Sequence, residues 1–283
     1  MLYRRTAVLF LFVLTYYGVV FRLPFPLFVA FISLVIVGSL WELYTMIDGK
    51  PVKACRWLGL IYAASLPVLR ALESVRQDLT LASLGQLTGE LTSAVLVFFL
   101  LVSMAAQTFK KDYQPAVEDL ATTCWGAIYV SWFFSYIIPL RGLPGGPWVV
   151  SLLFAMVKLN DVFAYLVGSH FGRHKCFPRL SPNKSWEGLI AGVLGSVLGA
   201  LFVLPFLRQH IVEMNIVHAV SLGVIMGILS PIGDLCESLI KRAAGHKDSG
   251  TLLLGTGGLL DGIDSLVFCT PLFYYFMWWR FGG

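Results

Sequence analysis

The run Gly188-Leu-Ile-Ala-Gly-Val-Leu-Gly-Ser-Val-Leu-Gly-Ala-Leu-Phe-Val-Leu-Pro-Phe206 decides the fold class. It contains no charged residue, and its length is close to the roughly 20 apolar residues with which a helix crosses the bilayer hydrocarbon. Similar runs recur along the chain. Only 13% of the 283 residues are charged, whereas roughly 25% is typical of soluble domains. Because so few charges cannot cover a soluble fold of this size, the sequence predicts an all-α, polytopic transmembrane helical protein.

Apolar runs predict about nine spans, and the short or proline-interrupted ones leave eight or ten open. Two arginines before the first run resemble the start of a signal peptide, but no small-residue cleavage site follows, which favours a retained first helix. The predicted spans are Thr6–Phe21, Leu27–Ile47, Trp57–Leu72, Leu91–Gln107, Leu120–Leu140, Trp148–Ser169, Gly188–Phe206, Ile216–Ile232 and Ile263–Trp279.

Loop charge predicts the orientation of these spans. With a cytoplasmic N-terminus, 14 of the 21 Lys and Arg residues lie on the cytoplasmic side, six lie outside, and Lys158 lies within a span. This excess follows the positive-inside rule and predicts that the N-terminus lies in the cytoplasm. We expect the protein to lie in a bacterial inner (cell) membrane. The polar loops at about 170–187 and 233–262 then also face the cytoplasm.

No internal repeat or soluble linker divides the chain, so we expect a single membrane domain over residues 1–283. Residues 1–140 are mostly hydrophobic helix, and residues 141–283 carry the chemically informative positions. The five cysteines form no CxxC pair, which indicates small apolar side chains rather than a zinc site or a disulfide framework.

Two polar clusters lie within the sixth span and in the loop that follows it. Lys158 and Asp161 are three residues apart inside the sixth span and share a helix face. An ion pair at this depth either locks helices together or serves a site, and its cost in lipid favours function. The following loop, Ser181-Pro-Asn-Lys184-Ser-Trp-Glu-Gly188, places a lysine near a helix N-terminus, where Ser181 or Ser185 can act as the cap. Such an arrangement favours phosphate, although ordinary positive-inside bias also explains its charge.

Two further clusters carry most of the carboxylates. Asp234, Glu237 and Lys241 occupy one stripe of a helix that leaves the eighth span, where a solvated salt-bridged face is the alternative to a site. The segment Lys247-Asp248-Ser249-Gly250 to Gly257-Gly258-Leu-Leu-Asp261-Gly-Ile-Asp264 adds glycines and two acids, with helix capping as the alternative for Asp261. Together these acids offer the oxygen ligands that Mg²⁺ prefers, and the glycines allow a close approach to phosphate. The pattern indicates phosphoryl or nucleotidyl transfer at the membrane surface.

These residues resemble the CDP-diacylglycerol synthase (phosphatidate cytidylyltransferase) family. The resemblance covers roughly residues 158–266 and rests on several motifs in the family's order. These are Asn160-Asp161 with Ala164-Tyr165, Phe171-Gly-Arg173 with Ser181-Pro-x-Lys184-x-Trp186-Glu187-Gly188, Gly233-Asp234 with Glu237, Ser238-Leu-Ile-Lys241-Arg242, Lys247-Asp248-Ser249-Gly250 and Gly257-Gly258-Leu-Leu-Asp261-Gly262-Ile-Asp264.

The resemblance implies an Mg²⁺-dependent nucleotidyltransferase in phospholipid biosynthesis, which converts CTP and phosphatidate to CDP-diacylglycerol and pyrophosphate. Residues 141–283 would then form the catalytic region. The implied catalytic residues are Asp234, Asp261, Asp264, Lys247 and Asp248. The implied substrate-binding residues are Lys184, Ser181, Lys241, Arg242, Gly257, Gly258, Asn160 and Asp161. The implied metal ligands are Asp234, Glu237, Asp261 and Asp264, and a second cation such as K⁺ is left open. The expected partners are the two substrates and the lipid bilayer, without nucleic acid, and a homodimer is left open.

Three positions depart from the family pattern. Leu254 stands where the family has proline or a small residue, Thr256 where it has histidine, and Gly262 where it has arginine. Threonine cannot act as a base near neutral pH, and glycine removes a cation suited to phosphate. The alternatives are therefore a CTP-dependent transferase that uses another lipid phosphate or a polyprenol, and a catalytically degenerate paralogue. A transporter is the least favoured class, because transporters often carry repeated halves.

Overall fold

Long helices form nearly all of the computed structural model, which describes residues 13–47, 54–76, 82–110, 113–247, 249–250 and 257–281. A π-helical turn, Gly18–Arg22, precedes the first of them. The long helices of the described residues are α1 (Phe25–Ile47), α2 (Arg56–Arg76), α3 (Ala82–Thr108), α4 (Ala116–Gly142), α5 (Gly146–Phe171), α6 (Trp186–Leu207), α7 (Ile216–Ala244) and α8 (Leu259–Phe281). Helix α4 consists of four consecutive helical segments, and the second of them, Ala127–Trp132, is π-helical.

Seven of these helices are long and apolar enough to cross a membrane, namely α1, the part of α3 from Gly89 to Thr108, and α4 to α8. They coincide with seven of the nine predicted spans. The predicted span Trp57–Leu72 is helical within α2, but this helix has charged residues at both ends and is not among the seven candidates. Residues 6–12 of the predicted span Thr6–Phe21 lie outside the described residues, and residues 13–21 are helical. The helical membrane architecture is thus confirmed, whereas the count of nine and the cytoplasmic N-terminus stay predictions.

Small residues let α5, α6 and α7 pack closely. A Cβ atom at Gly195 would lie 2.5 Å from the carbonyl oxygen of Leu159, and one at Gly199 would lie 2.7 Å from that of Ala155. Toward α7, a Cβ atom at Gly223 would lie 2.6 Å from the Cα atom of Val197. Close backbone approach through small residues is a common way for helices to associate in lipid, where apolar burial gives little net drive. This packing holds α5, α6 and α7 together. These helices correspond to the sixth, seventh and eighth predicted spans, in and between which the first three polar clusters lie.

One element departs from the all-α prediction. A short antiparallel hairpin, β1 (Lys175–Phe177) and β2 (Ser181–Ser185), joins α5 to α6, with Lys175 opposite Ser185. The Ser185 side chain accepts a hydrogen bond from the backbone N–H of Gly188, at 3.2 Å, so Ser185 is the cap of α6. Of the two serines considered for this role, Ser185 therefore fills it. The hairpin leads directly into α6 and thereby places Lys184 against α7.

The N-terminal helices and the C-terminal region share one apolar core. Buried side chains of α1, including Leu40 and Leu43, belong to the same cluster as Leu260 and Leu266 of α8. A side chain at Gly38 of α1 would collide with Leu259 at the start of α8. The boundary near residue 140 is therefore not a gap in the packing, and α1 reaches the end of α8 that carries the predicted site.

Candidate active site

Three carboxylates converge where α7 and α8 meet. Asp234 and Glu237 are three residues apart on α7 and so share a helix face, and Asp264 lies in the second turn of α8. One oxygen atom of each lies within 4.8 Å of the others. Glu237 and Asp264 are buried and Asp234 is partly exposed. Negative charges at this spacing repel strongly in a poorly polar setting, so the cluster requires positive charge.

Two lysines supply part of that charge. Lys184 Nζ lies 2.8 Å from Asp234 Oδ2 and donates to the carbonyl oxygen of Pro231 at 2.9 Å. Lys241 Nζ lies 2.6 Å from Glu237 Oε2 and 2.6 Å from Asp261 Oδ1. The hairpin thus contributes one lysine and α7 the other. Both are predicted substrate-binding residues, and the structure brings them to the carboxylates.

Asp261 lies beside the cluster in a different setting. Its Oδ1 atom accepts from Lys241, and its Oδ2 atom accepts from the backbone N–H groups of Gly258, at 2.7 Å, and Ser249, at 3.1 Å. The bond to Gly258 lets this acid satisfy a free N–H group at the helix start, as the capping alternative predicts. Both oxygen atoms are therefore engaged within the protein, and a metal-ligand role for Asp261 stays a prediction.

The α5 residues divide between the site and the helix packing. Lys158 Nζ lies 3.7 Å from Asp161 Oδ2 and donates to the carbonyl oxygen of Gly262, at 3.1 Å, so it links α5 to the start of α8. Asn160 is buried and donates to Ser196 Oγ, at 3.1 Å, and to the carbonyl oxygen of Gly227, at 2.9 Å. These bonds place the Asn160 amide in the packing of α5, α6 and α7, which gives no support to its predicted contact with substrate.

The remaining predicted residues lie on elements next to the cluster or outside the described residues. Ser181 begins β2, and Arg242 is exposed and donates to the carbonyl oxygen of His246 at 3.3 Å. Lys247 is exposed. Gly257 has a φ of 125°, which strongly favours glycine. Asp248 lies outside the described residues, as do two of the family departures, Leu254 and Thr256.

Sequence reasoning missed Glu42, a buried acid on α1. Its Oε2 atom accepts hydrogen bonds from the backbone N–H of Leu260, at 3.0 Å, and from Ser249 Oγ, at 3.4 Å. Glu42 stands in an otherwise apolar membrane-length helix. The signal that identifies Lys158 and Asp161, an ionisable residue inside a span, is therefore also present at Glu42.

The carboxylate cluster has the chemistry of a cation site. All of its donors are oxygen atoms, and the Oε1 atom of Glu237 is buried without a hydrogen-bond partner. A buried carboxylate oxygen that lacks a partner is costly, and a hard cation would satisfy it. Asp234, Glu237 and Asp264 are the residues whose positions fit such an ion.

The chain is similar to known proteins over most of its length. The sequence model of the cytidylyltransferase family matches residues 3–279. A phosphatidate cytidylyltransferase of Synechocystis sp. is 31% identical over 277 residues, which cover 88% of this chain and 88% of that protein. A phosphatidate cytidylyltransferase of Thermotoga maritima is 32% identical over 193 residues, 67% of this chain and 71% of the relative. The Escherichia coli protein YnbB, named as uncharacterized, is 36% identical over 182 residues, and the chain spans 60% of its length.

Proposed function

Since the chain belongs to the cytidylyltransferase family, we propose that it transfers the cytidylyl group of CTP to phosphatidate, with CDP-diacylglycerol and pyrophosphate as products. The observation that carries this proposal is the convergence of Asp234, Glu237 and Asp264 beside Lys184 and Lys241. Carboxylates able to hold a cation, next to lysines, suit a polyphosphate substrate. The names of the Synechocystis and Thermotoga relatives support phosphatidate as the acceptor.

Asp234, Glu237 and Asp264 would hold Mg²⁺, because their oxygen donors and the unpartnered Glu237 Oε1 atom fit a hard cation. When bound, the ion would supply positive charge that offsets the charge of the triphosphate and of the leaving pyrophosphate. Asp261 and a second cation such as K⁺ stay predictions, since both oxygen atoms of Asp261 already accept hydrogen bonds.

In the proposed reaction, an oxygen atom of the phosphatidate phosphate forms a bond to the α-phosphorus of CTP. The bond from that phosphorus to the bridging oxygen of the β-phosphate breaks, and pyrophosphate leaves with the electron pair. The attacking phosphate is ionised near neutral pH, so no strong general base is needed and positioning dominates.

The lysines would position the phosphates. Lys184 and Lys241 each contact carboxylates now, and their ammonium groups can also donate to phosphate oxygen atoms. The exposed Arg242 and Lys247 extend this positive surface toward water. Lys158 holds the first turn of α8 through Gly262, which keeps Asp264 facing α7.

The protein is an integral membrane protein by the number of its membrane-length apolar helices. We propose that it lies in a bacterial cell membrane with the carboxylate cluster on the cytoplasmic side, where CTP is made. The excess of basic residues in the loops on that side supports this orientation. A homodimer stays a prediction.

The direct test uses the purified protein in lipid with Mg²⁺, labelled CTP and phosphatidate, and measures CDP-diacylglycerol and pyrophosphate. Parallel reactions with a polyprenyl phosphate and with a lysolipid phosphate identify a different acceptor. The Thr256→His, Gly262→Arg and double variants restore the family's residues. We expect product from the native chain. Product from the double variant alone would instead show that Thr256 and Gly262 have disabled the site.

A further inference from the structure

Glu42 lies against Ser249 and Gly250, two described residues of the connection between α7 and α8, although it is more than 200 residues away in sequence. It is only 5% exposed, and its Oε2 atom accepts hydrogen bonds from Ser249 Oγ in that connection and from the Leu260 N–H group in the first turn of α8. Burying a carboxylate is costly unless hydrogen bonds compensate. Both donors bond Oε2, and the Leu260 donor lies in the helical turn that carries Asp261, whereas Oε1 is buried without a hydrogen-bond partner.

Gly250 and Gly258 have no room for a side chain next to the Glu42 carboxylate. A Cβ atom at Gly250 would lie 2.5 Å from Glu42 Oε1, and one at Gly258 would lie 2.4 Å from Glu42 Oε2. Glycine at both positions lets the loop backbone close onto the carboxylate. Ser249, Gly250 and Gly258 therefore enclose Glu42 on the side of the site.

Hydrogen bonds connect Glu42 to the carboxylate cluster. Ser249 Oγ donates to Glu42 and accepts from the Asp261 N–H at 3.3 Å, and the Ser249 N–H donates to Asp261 Oδ2. Asp261 then holds Lys241 at 2.6 Å, and Lys241 holds Glu237 at 2.6 Å. The path thus runs from α1 through Ser249, Asp261 and Lys241 to the cluster.

We propose that Glu42 is a positioning residue of the transferase site. It anchors the α7–α8 connection so that Asp261 orients Lys241, which in turn orients Glu237 toward Asp234 and Asp264. The consequence for catalysis rests on the proposed function, whereas the anchoring of the connection does not. The N-terminal helices would then contribute directly to the geometry of the site.

The test compares Glu42→Ala and Glu42→Gln with the native chain. Glutamine keeps an oxygen acceptor for Ser249 and Leu260, and alanine removes it. Glu73→Ala is the matched control, because Glu73 is a partly buried acid of the N-terminal helices, with 19% of its side chain exposed, and bonds Arg70, at 3.0 Å, and Thr92 on α3. Each purified protein is examined by hydrogen–deuterium exchange over residues 241–264, and by kcat and KM for CTP at several Mg²⁺ concentrations.

We expect Glu42→Ala to speed exchange in residues 241–264 and to lower kcat/KM for CTP about 10–100-fold, since small misplacements of catalytic groups cost this much. Glu42→Gln should stay within about threefold of the native value, and Glu73→Ala should leave exchange in this segment unchanged. A purely structural brace would lower stability without altering the dependence of activity on CTP and Mg²⁺.

The outcomes separate the two proposals. If the native chain makes no CDP-lipid, the proposed function is wrong. The hydrogen–deuterium exchange data alone then test whether Glu42 anchors the α7–α8 connection. If the native chain is active, unchanged exchange or unchanged kcat/KM in Glu42→Ala overturns the positioning role. Should Glu42→Ala not fold, Ser249→Ala removes one of the two hydrogen bonds to Glu42 and keeps the bond from Leu260. This variant must show faster exchange and a lower kcat/KM for CTP, and adding Glu42→Gln to it should cause no further loss.

Discussion

Individual side chains of the site have distinct tasks that follow from their partners. Asp264 lies in the carboxylate cluster, and its Oδ1 atom accepts the Ser265 N–H at 2.6 Å, which fixes the side chain. Asp261, three residues earlier, has both oxygen atoms engaged by Lys241 and by backbone N–H groups. Similar acids one helical turn apart are thus separated into a candidate ligand and an organiser of the loop.

Asp264→Asn tests this division at the level of one residue. Asparagine keeps the shape and one acceptor oxygen but removes a negative charge from the cluster, so we expect kcat to fall by about 100-fold or more and the required Mg²⁺ concentration to rise. The measurement is CDP-lipid formation during an Mg²⁺ titration. Glu213→Gln is the control, because Glu213 is exposed and pairs with Arg280 at 3.6 Å, far from the cluster. Near-native turnover of Asp264→Asn would remove Asp264 from the site.

At the scale of elements, the glycine-lined face of α6 sets how closely α5 and α7 approach. Asn160 adds hydrogen bonds to Ser196 on α6 and to Gly227 on α7. A second face of α6 exposes large apolar residues, among them Ile190, Leu194, Leu198 and Phe202. One helix therefore pairs a small-residue face for packing with a bulky apolar face suited to lipid.

Gly199→Val should separate α5 from α6. A Cβ atom at this position already lies 2.7 Å from the Ala155 carbonyl oxygen, and backbone cannot move aside without shifting the helix. We expect a loss of about 1–3 kcal/mol in the free energy of unfolding, measured by denaturation in a mixed-detergent titration. Leu198→Val, at the neighbouring exposed position, should change stability by less than about 0.5 kcal/mol. Equal stability of the two variants would contradict the close packing of α5 and α6.

At the scale of the whole molecule, α6 runs from the hairpin at one end of the helical bundle to the opposite end. Its 22 residues span about 33 Å, close to the thickness of the bilayer hydrocarbon. Lys175 in the hairpin and Arg208 after the helix are both exposed and lie at opposite ends of α6. A cytoplasmic site thus requires that these two positions face opposite sides of the membrane.

Cysteine labelling measures this orientation. In a background with the five native cysteines replaced by alanine, Arg208→Cys should react with a membrane-impermeant maleimide in intact bacterial spheroplasts. Lys175→Cys should react only after permeabilisation, because the proposed orientation places the hairpin in the cytoplasm. The reverse pattern would place the carboxylate cluster outside the cell and would contradict its access to cytoplasmic CTP.

Membrane class and the rough positions of seven helices were predictable from the sequence. The apolar character of each span is a local property of the sequence, because the transfer of about 20 apolar side chains into lipid depends little on the rest of the fold. The motifs around Asp234, Lys241 and Asp264 also marked the region of the site, because ionisable residues beside apolar runs are costly unless they serve a purpose.

Only the tertiary structure decided which of these groups meet. Spacing along one helix brings Asp234 near Glu237, but the approach of Asp264 depends on how α7 packs against α8. The same packing commits Asp261 to Lys241 and brings Glu42 of α1 under Ser249. Hydropathy is a sum over neighbouring residues, so the sequence alone predicts it. Contacts between residues 200 positions apart depend on the combined angles and separations of several helices, and no local sequence pattern predicts these.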